Sequence, residues 1–343
     1  MRRAAPPGTP WRRLLSEPPR PSWIRDSKAA PWLAVGAVCI GAFMGQLDAS
    51  IVTVALPSIA RGLRAGLGAT EWVVLAYIVA LVATVALIGR VADSAGRKLL
   101  YTYGFAVFAA ASAGCALASS LGILVLFRVI QGVGAAMLQA NSLALIRDVT
   151  PPGRLGTAIG VQGAAQAVGL AAGPSVGGVL VSAGGWPLIF VINVPVGAVG
   201  LVLAWFLLPR SRHRAPAAAI DVTGAFLLAA GAACLLAVLS LVVEPGVSAA
   251  PLAATAAGAA VFGAGAVARQ RGRPGSVVDS ALLRSRAFVF GASSGLVAYT
   301  ALFGTLLVVP FFLEGSVGLS ARDAGLRLTA LPVALAAVAP LGG

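Results

Sequence analysis

From Leu155 to Pro209, 55 consecutive residues contain no Asp, Glu, Lys, Arg or His. A helix needs about 20 apolar residues to cross a bilayer once, so this stretch is long enough to cross twice. The rest of the chain agrees: 59% of residues are hydrophobic, 10% are charged, and the mean hydropathy is +0.93. In hydrocarbon every backbone N–H and C=O must be paired within the protein, which leaves helices or closed barrels. Barrel strands would read as alternating segments of about 10 residues, and the runs here are about twice that. The expected fold class is therefore all-α, a polytopic membrane protein. Apolar windows predict ten spans, near 32–56, 71–89, 99–118, 121–145, 155–182, 187–208, 222–243, 249–268, 287–313 and 324–343.

The net charge of +14 raises the question of nucleic acid, and the placement of the charge excludes it. Twenty of the 25 basic residues fall in the first 30 residues and in alternate loops at 90–98, 147–154, 210–214 and 269–286. Four (Arg61, Arg64, Arg322, Arg327) fall in the opposite set, and Arg128 lies inside a span. That asymmetry orients a membrane protein, with the basic loops and the N-terminus cytoplasmic, and it suits a surface facing anionic lipid. Cys39, Cys115 and Cys234 lie in apolar spans without metal or redox spacing, and the single histidine, His213, sits in a basic loop, so no metal site is expected.

Residues 1–30, rich in Pro and Arg, read as a disordered cytoplasmic tail. A bundle of six spans follows over 31–208, then a polar linker at 209–221, two additional spans within 222–268, a basic loop at 269–286, and two spans within 287–343. The sequence stops at "VAPLGG", 16 residues after Arg327 and without a polar flank. The expectation is a chain cut short, with the second bundle incomplete.

Removing acids that lie in tails, loops and span ends leaves one carboxylate deep in lipid, Asp48, about nine residues or roughly 13 Å from Pro57 at the expected outer end of its span. An aspartate there costs about 2.5–3.5 kcal/mol to insert, and such residues default to function. Arg128, eight residues from Ser120, is expected at a similar depth. The guanidinium favours one charge state of the acid and burial the other, so such a pair is suited to gaining and losing a proton. A permanent structural ion pair is the alternative.

Gln46, Gln131, Asn141, Gln162, Gln166 and Asn193 are the polar side chains expected to line a wet cavity nearby. Arg128 with Gln131, and Gln162 with Gln166, share helix faces. Gly169, Gly173 and Gly177 step along the fifth span at intervals of four beside Pro174, which favours close helix contact. In "GRVADSAGRK", Gly89 and Gly96 are expected to permit a tight reversal, with Asp93, Arg97 and Lys98 forming a charged latch. No nucleophile with a base, metal cluster or phosphate-binding loop is present, which argues against an enzyme.

These motifs resemble the major facilitator superfamily, and within it the fourteen-helix drug:proton antiporters of the EmrB/QacA family. "LDASIVTVALP" looks like the family's first-helix signature, "GRVADSAGRK" its loop signature, "LVLFRVIQGVGAA" its fourth-helix signature and "GLAAGPSVGG" its fifth-helix antiporter signature. "GWPLIFVINVPVG" at 185–197 and the two extra spans resemble the fourteen-helix branch. The resemblance covers residues 32–343 and implies bundles built of inverted three-helix repeats around a midplane cavity.

It further implies proton coupling through Asp48 and Arg128, and a conformational switch at Gly89, Asp93, Gly96, Arg97 and Lys98. Gly169, Gly173, Pro174, Gly177 and Gly178 would form the contact between bundles. Implied partners are protons, the lipid bilayer and a lipophilic or cationic small molecule, handled by a monomer that uses the proton gradient and no cofactor. Val91, Ser94 and Pro187 depart from the family's usual Leu, Arg and Arg. The expected function is multidrug or antibiotic efflux across the cytoplasmic membrane, with proton-coupled uptake or an inactive fragment as alternatives.

Overall fold

The computed structural model describes residues 17–211, 221–243, 248–270 and 285–318, together with Arg327 and Ala334, and these residues form helices and no strands. A short helix α1 (Ser22–Arg25) leads into α2 (Ala30–Leu63), α3 (Leu67–Ala95), α4 (Arg97–Ala116), α5 (Leu121–Val149) and α6 (Leu155–Gly184). Then come α7 (Leu188–Val191), α8 (Asn193–Leu207), α9 (Val222–Val243), α10 (Ala249–Gln270) and α11 (Arg286–Gly315). Among the described residues, seven helical stretches are long and apolar enough to cross a membrane. The expected spans near 222–243 and 287–313 form α9 and α11. The span near 324–343, apart from Arg327 and Ala334, and His213 lie outside the described residues.

Several expected boundaries are too short. α2 runs to Leu63 with Pro57 inside it, and α3 runs from Leu67 to Ala95 where 71–89 was expected. Hydropathy falls where charges begin, but backbone hydrogen bonding carries the helix further. Asp48 therefore stands 15 residues from the end of α2, about 22 Å at 1.5 Å per residue, near the middle of the helix. Gly89 also differs from expectation, because it lies within α3 with its Cα side turned to Ala140 of α5. The reversal rests on Gly96 alone, at φ 118 and ψ 125, a conformation that glycine adopts freely.

In the sixth span Pro195 has no N–H to give to the Val191 carbonyl four residues back, so one helical hydrogen bond is missing there while the backbone at Ile192 stays helical. Asn193 lies beside this missing bond, within the continuous span Leu188–Leu207.

Packing has a reciprocal pattern. α2 lies along α6 and α5 along α3, while α4 packs with both α5 and α8, and α2 meets α3, α5, α7 and α8 as well. The first helix of each three-helix set thus rests on the second helix of the other. α9 and α10 form a hairpin that contacts α3 from outside, tied by Arg269 Nε to Asp221 Oδ1 at 2.8 Å. Exposed apolar side chains such as Leu126, Val179 and Phe226 give the helices the outward faces that lipid solvates.

Contact between α2 and α6 depends on missing side chains. A Cβ on Gly169 would strike the Phe43 carbonyl oxygen, and one on Gly173 would strike Ser50 Oγ and come within 2.9 Å of the Ile51 nitrogen. Gly177 rests on the Ile51 side chain. Their neighbour in this structure is α2, a helix of the same bundle, whereas Pro174 and Gly178 face outward. Gly169→Ala is expected to force α6 off the α2 backbone and cost about 1–3 kcal/mol. Gly178→Ala, which meets nothing within 4 Å, should leave stability unchanged. Thermal unfolding of the two purified variants checks the contrast.

Candidate functional site

Six helical elements converge on Asp48. It is fully buried, as are Arg128, Gln131 and Ser112, and Asn193 is 1% exposed. Arg128 Nη1 donates to Asp48 Oδ2 at 2.6 Å. The other carboxylate oxygen, Oδ1, accepts from Gln131 Nε2 at 2.9 Å and from Asn193 Nδ2 at 2.8 Å. Gln131 also accepts from Arg128 Nη1 at 2.7 Å through Oε1, and its Nε2 is 2.7 Å from Ser112 Oγ on α4. Both ends of the amide are used.

Local sequence explains the geometry. Arg128 and Gln131 are three residues apart on one face of α5, and Ser112 and Cys115 present a matching face of α4, with Cys115 Sγ 3.7 Å from Gln131 Oε1. Gly132 brings α3 close, since a Cβ there would lie 2.5 Å from the Tyr77 carbonyl oxygen. That approach lets Arg128 Nε donate to the Val73 carbonyl at 2.8 Å and sets the guanidinium 4.3 Å from the Tyr77 ring centroid. Phe190 of α7 covers it from another side at 5.8 Å. Ile51, Val52, Val73, Leu124 and Ile189 complete a dry wall.

Taking two charges out of water costs several kcal/mol each, and only good geometry with further hydrogen bonds offsets it. Here the carboxylate has three donors. Two groups are left over: Arg128 Nη2 and Asn193 Oδ1 are buried without a hydrogen-bond partner among the described residues. A spare donor and a spare acceptor thus flank the ion pair.

The remaining polar residues divide. Gln131 and Asn193 join the Asp48 network. Gln162 instead donates to Ser142 Oγ at 3.0 Å, linking α6 to α5, and Asn141 bonds the Met137 carbonyl of its own helix at 2.8 Å. Gln46, two residues from Asp48, points to a different face of α2 and is half-buried, as is Gln166. The immediate surroundings of Asp48 are packed in this conformation. Ser112, Tyr77 and the Val73 carbonyl were not anticipated. Tyr77, as the one phenol of the second span, was the available signal, but nothing in sequence marks a backbone carbonyl.

At the end of the bundle where α2 begins, Arg97 spans Asp93 Oδ1 at 2.9 Å and Asp148 Oδ2 at 3.2 Å, joining α3, α4 and α5. The Arg97 N–H donates to Ser211 Oγ at 3.0 Å. Lys98 is buried and donates to the Pro18 carbonyl at 2.9 Å. Glu17, absent from the sequence reading, accepts from the Ser211 N–H at 2.7 Å and from the Leu99 N–H at 3.3 Å. The N-terminal segment is therefore docked onto the first turn of α4 and the chain leaving α8.

A family model described as Major Facilitator Superfamily matches residues 38–343. The chain belongs to that superfamily. Over 91% of its length it is 32% identical to the riboflavin transporter RibZ of Clostridioides difficile, covering 67% of that protein. It is 32% identical to the tetracenomycin C resistance and export protein of Streptomyces glaucescens, over 92% of this chain and 59% of that protein. The multidrug resistance protein Stp of Mycobacterium tuberculosis is also 32% identical, over 91% of this chain and 58% of that one. The chain thus spans about three fifths to two thirds of the length of these relatives.

In fold it is similar to the proton:xylose symporter XylE, with a TM-score of 0.60 at 14% identity over 91% of this chain and 68% of XylE. The expected all-α, multi-pass membrane architecture is borne out, and the relatives named above are transporters or export and resistance proteins, not enzymes.

Removing one member of a buried pair leaves the other charge uncompensated, at about 3–5 kcal/mol. Arg128→Ala should therefore destabilise by that amount, whereas Asp48→Leu combined with Arg128→Met should recover most of the loss. Unfolding midpoints of the single and double variants check this.

Proposed function

We propose that this chain is the helical core of a proton-coupled exporter of amphipathic, lipophilic or cationic small molecules in the cytoplasmic membrane, of the fourteen-helix drug:proton antiporter branch. One observation carries the reading: a carboxylate buried at mid-helix, held by Arg128 and Gln131 of α5 and Asn193 of α8. Protonation of Asp48 removes its charge and weakens the bridge to Arg128. Gln131 and Asn193 must then exchange partners, so a proton at one atom alters how α2 packs on α5 and α8. Arg128 Nη2 and Asn193 Oδ1, unpartnered beside it, are the groups that would receive water as the bundle opens.

Moving one charge across 100 mV supplies about 2.3 kcal/mol, enough for a substrate ratio of roughly fiftyfold. The Asp93–Arg97–Asp148 contacts, with the Gly96 turn and Lys98, would form the latch that breaks and reforms between inward-open and outward-open states. Pro174 and Gly178, on the outward side of α6, are the part of that glycine-rich stripe left to meet a second bundle. Outward transport is favoured by the likeness to proteins named for tetracenomycin export and multidrug resistance. The carrier would act as a monomer with its N-terminus cytoplasmic and no cofactor.

The likeness to a riboflavin transporter favours a second cargo class, a flat polar heterocycle.

Everted membrane vesicles expressing the protein decide between these readings and test the coupling. Acidification of the lumen should drive uptake of ethidium, and Asp48→Asn should reduce the pH-dependent component at least about tenfold, a loss of about 1.4 kcal/mol or more, with protein still in the membrane. Unchanged ethidium flux in the variant would sink the coupling role of Asp48. Flux of riboflavin and none of ethidium in wild type would transfer the reading to the second cargo class.

A further inference from the structure

A cavity of about 330 Å³ opens at the end of the bundle where α2 begins, between the N-terminal segment, the last turn of α5 and the chain leaving α8. Its wall carries four cationic side chains, Arg20, Arg25, Lys28 and Arg210, against one carboxylate, Asp148. That carboxylate is engaged by Arg97 at 3.2 Å. The acid closest in sequence to Arg20, Glu17, turns its oxygens to Ser211 and to the Leu99 N–H. Arg25 has a surface partner in Asp26 at 2.9 Å. Positive charge is in excess, and it comes from two stretches of chain that lie far apart in sequence.

Arg20 shows the excess most directly. Its Nε donates to the Leu207 carbonyl at the end of α8, while Nη2 is buried with no hydrogen-bond partner among the described residues. Desolvation lowers its pKa from the ordinary guanidinium value, as expected of a cation short of a counter-charge. Ala30 and Pro31, the first residues of α2, form part of the same wall, and no side chain caps that helix. The positive end of a 34-residue helix adds to the field there.

We propose that this cavity binds the phosphate of an anionic ligand, held by Arg20, Arg210 and Lys28 beside the start of α2. The volume is at the low end of small-molecule sites, about 300–1,000 Å³, which suits a phosphate-bearing headgroup better than a bulky organic anion. Two sources share this chemistry, the headgroup of an anionic phospholipid at the membrane surface and free phosphate. Either one would pin the N-terminal segment to the ends of α5 and α8. The site is separate from Asp48 and does not depend on proton coupling there.

Thermal unfolding of the purified chain in neutral detergent tests this, with dioleoylphosphatidylglycerol, dioleoylphosphatidylcholine or inorganic phosphate added. Phosphatidylglycerol is expected to raise the midpoint by at least about 3 °C more than phosphatidylcholine, since a ligand that binds only the folded state stabilises it. The extra rise should be lost in Arg20→Gln and in Lys28→Gln, the latter at an exposed side chain whose replacement leaves the fold intact. An equal rise with inorganic phosphate, lost in the same variants, would assign the site to the free anion. No difference between the two lipids together with no effect of phosphate, or a rise that both variants retain, overturns the proposal.

Discussion

A carboxylate in hydrocarbon must either find partners or give up its charge, and the six-helix bundle is arranged around the partners of Asp48. Its oxygens take three hydrogen bonds from Arg128, Gln131 and Asn193, and Arg128 in turn needs the Val73 carbonyl and the Tyr77 face. Each partner belongs to a different packing contact. α5 must approach α3 closely enough for Val73 to be reached, which requires Gly132, and the sixth span must turn Asn193 toward the acid. The electrostatics of one side chain and the steric freedom of a few small residues are therefore a single problem.

The same economy appears where α6 meets α2. Helices in lipid gain little from hiding apolar surface from one another, so close approach and dispersion contacts hold them together. Gly169, Gly173 and Gly177 place the α6 backbone against Phe43, Ser50 and Ile51, the stretch of α2 that contains Asp48. A helix gripped this tightly along one side presents its acid to α5 and α8 in a defined orientation. Rearrangement of the charge network would then be transmitted to rigid helices instead of being absorbed by local slack.

At the end where α2 begins, charges serve a different purpose. Arg97 collects Asp93 and Asp148, and Glu17 caps the start of α4 while holding Ser211. The Arg97 pairs are partly solvated, so each is worth little alone, about 1 kcal/mol or less for an exposed pair, whereas Glu17 is buried. The Arg97 pairs cost less to separate than the fully buried Asp48–Arg128 pair. The protein thus combines a costly charged site at mid-helix with inexpensive charged contacts at its rim.

Read alone, the sequence established a helical, multi-spanning chain, because hydrocarbon permits few backbone solutions and apolar length reports directly on crossing. It also singled out Asp48 and Arg128, since a charge inside a span is conspicuous against its neighbours. Periodicity correctly paired Arg128 with Gln131 on one face. Tertiary structure decided which polar residues reach the acid: Gln131 and Asn193 do, with the unforeseen Ser112 behind Gln131, while Asn141 and Gln162 are satisfied elsewhere. It also turned the glycines of α6 toward α2 and brought Glu17 to α4 across more than 80 residues of chain. Spacing along one helix fixes which residues share a face, but which helix that face meets is set by packing between distant segments, and no local pattern encodes it.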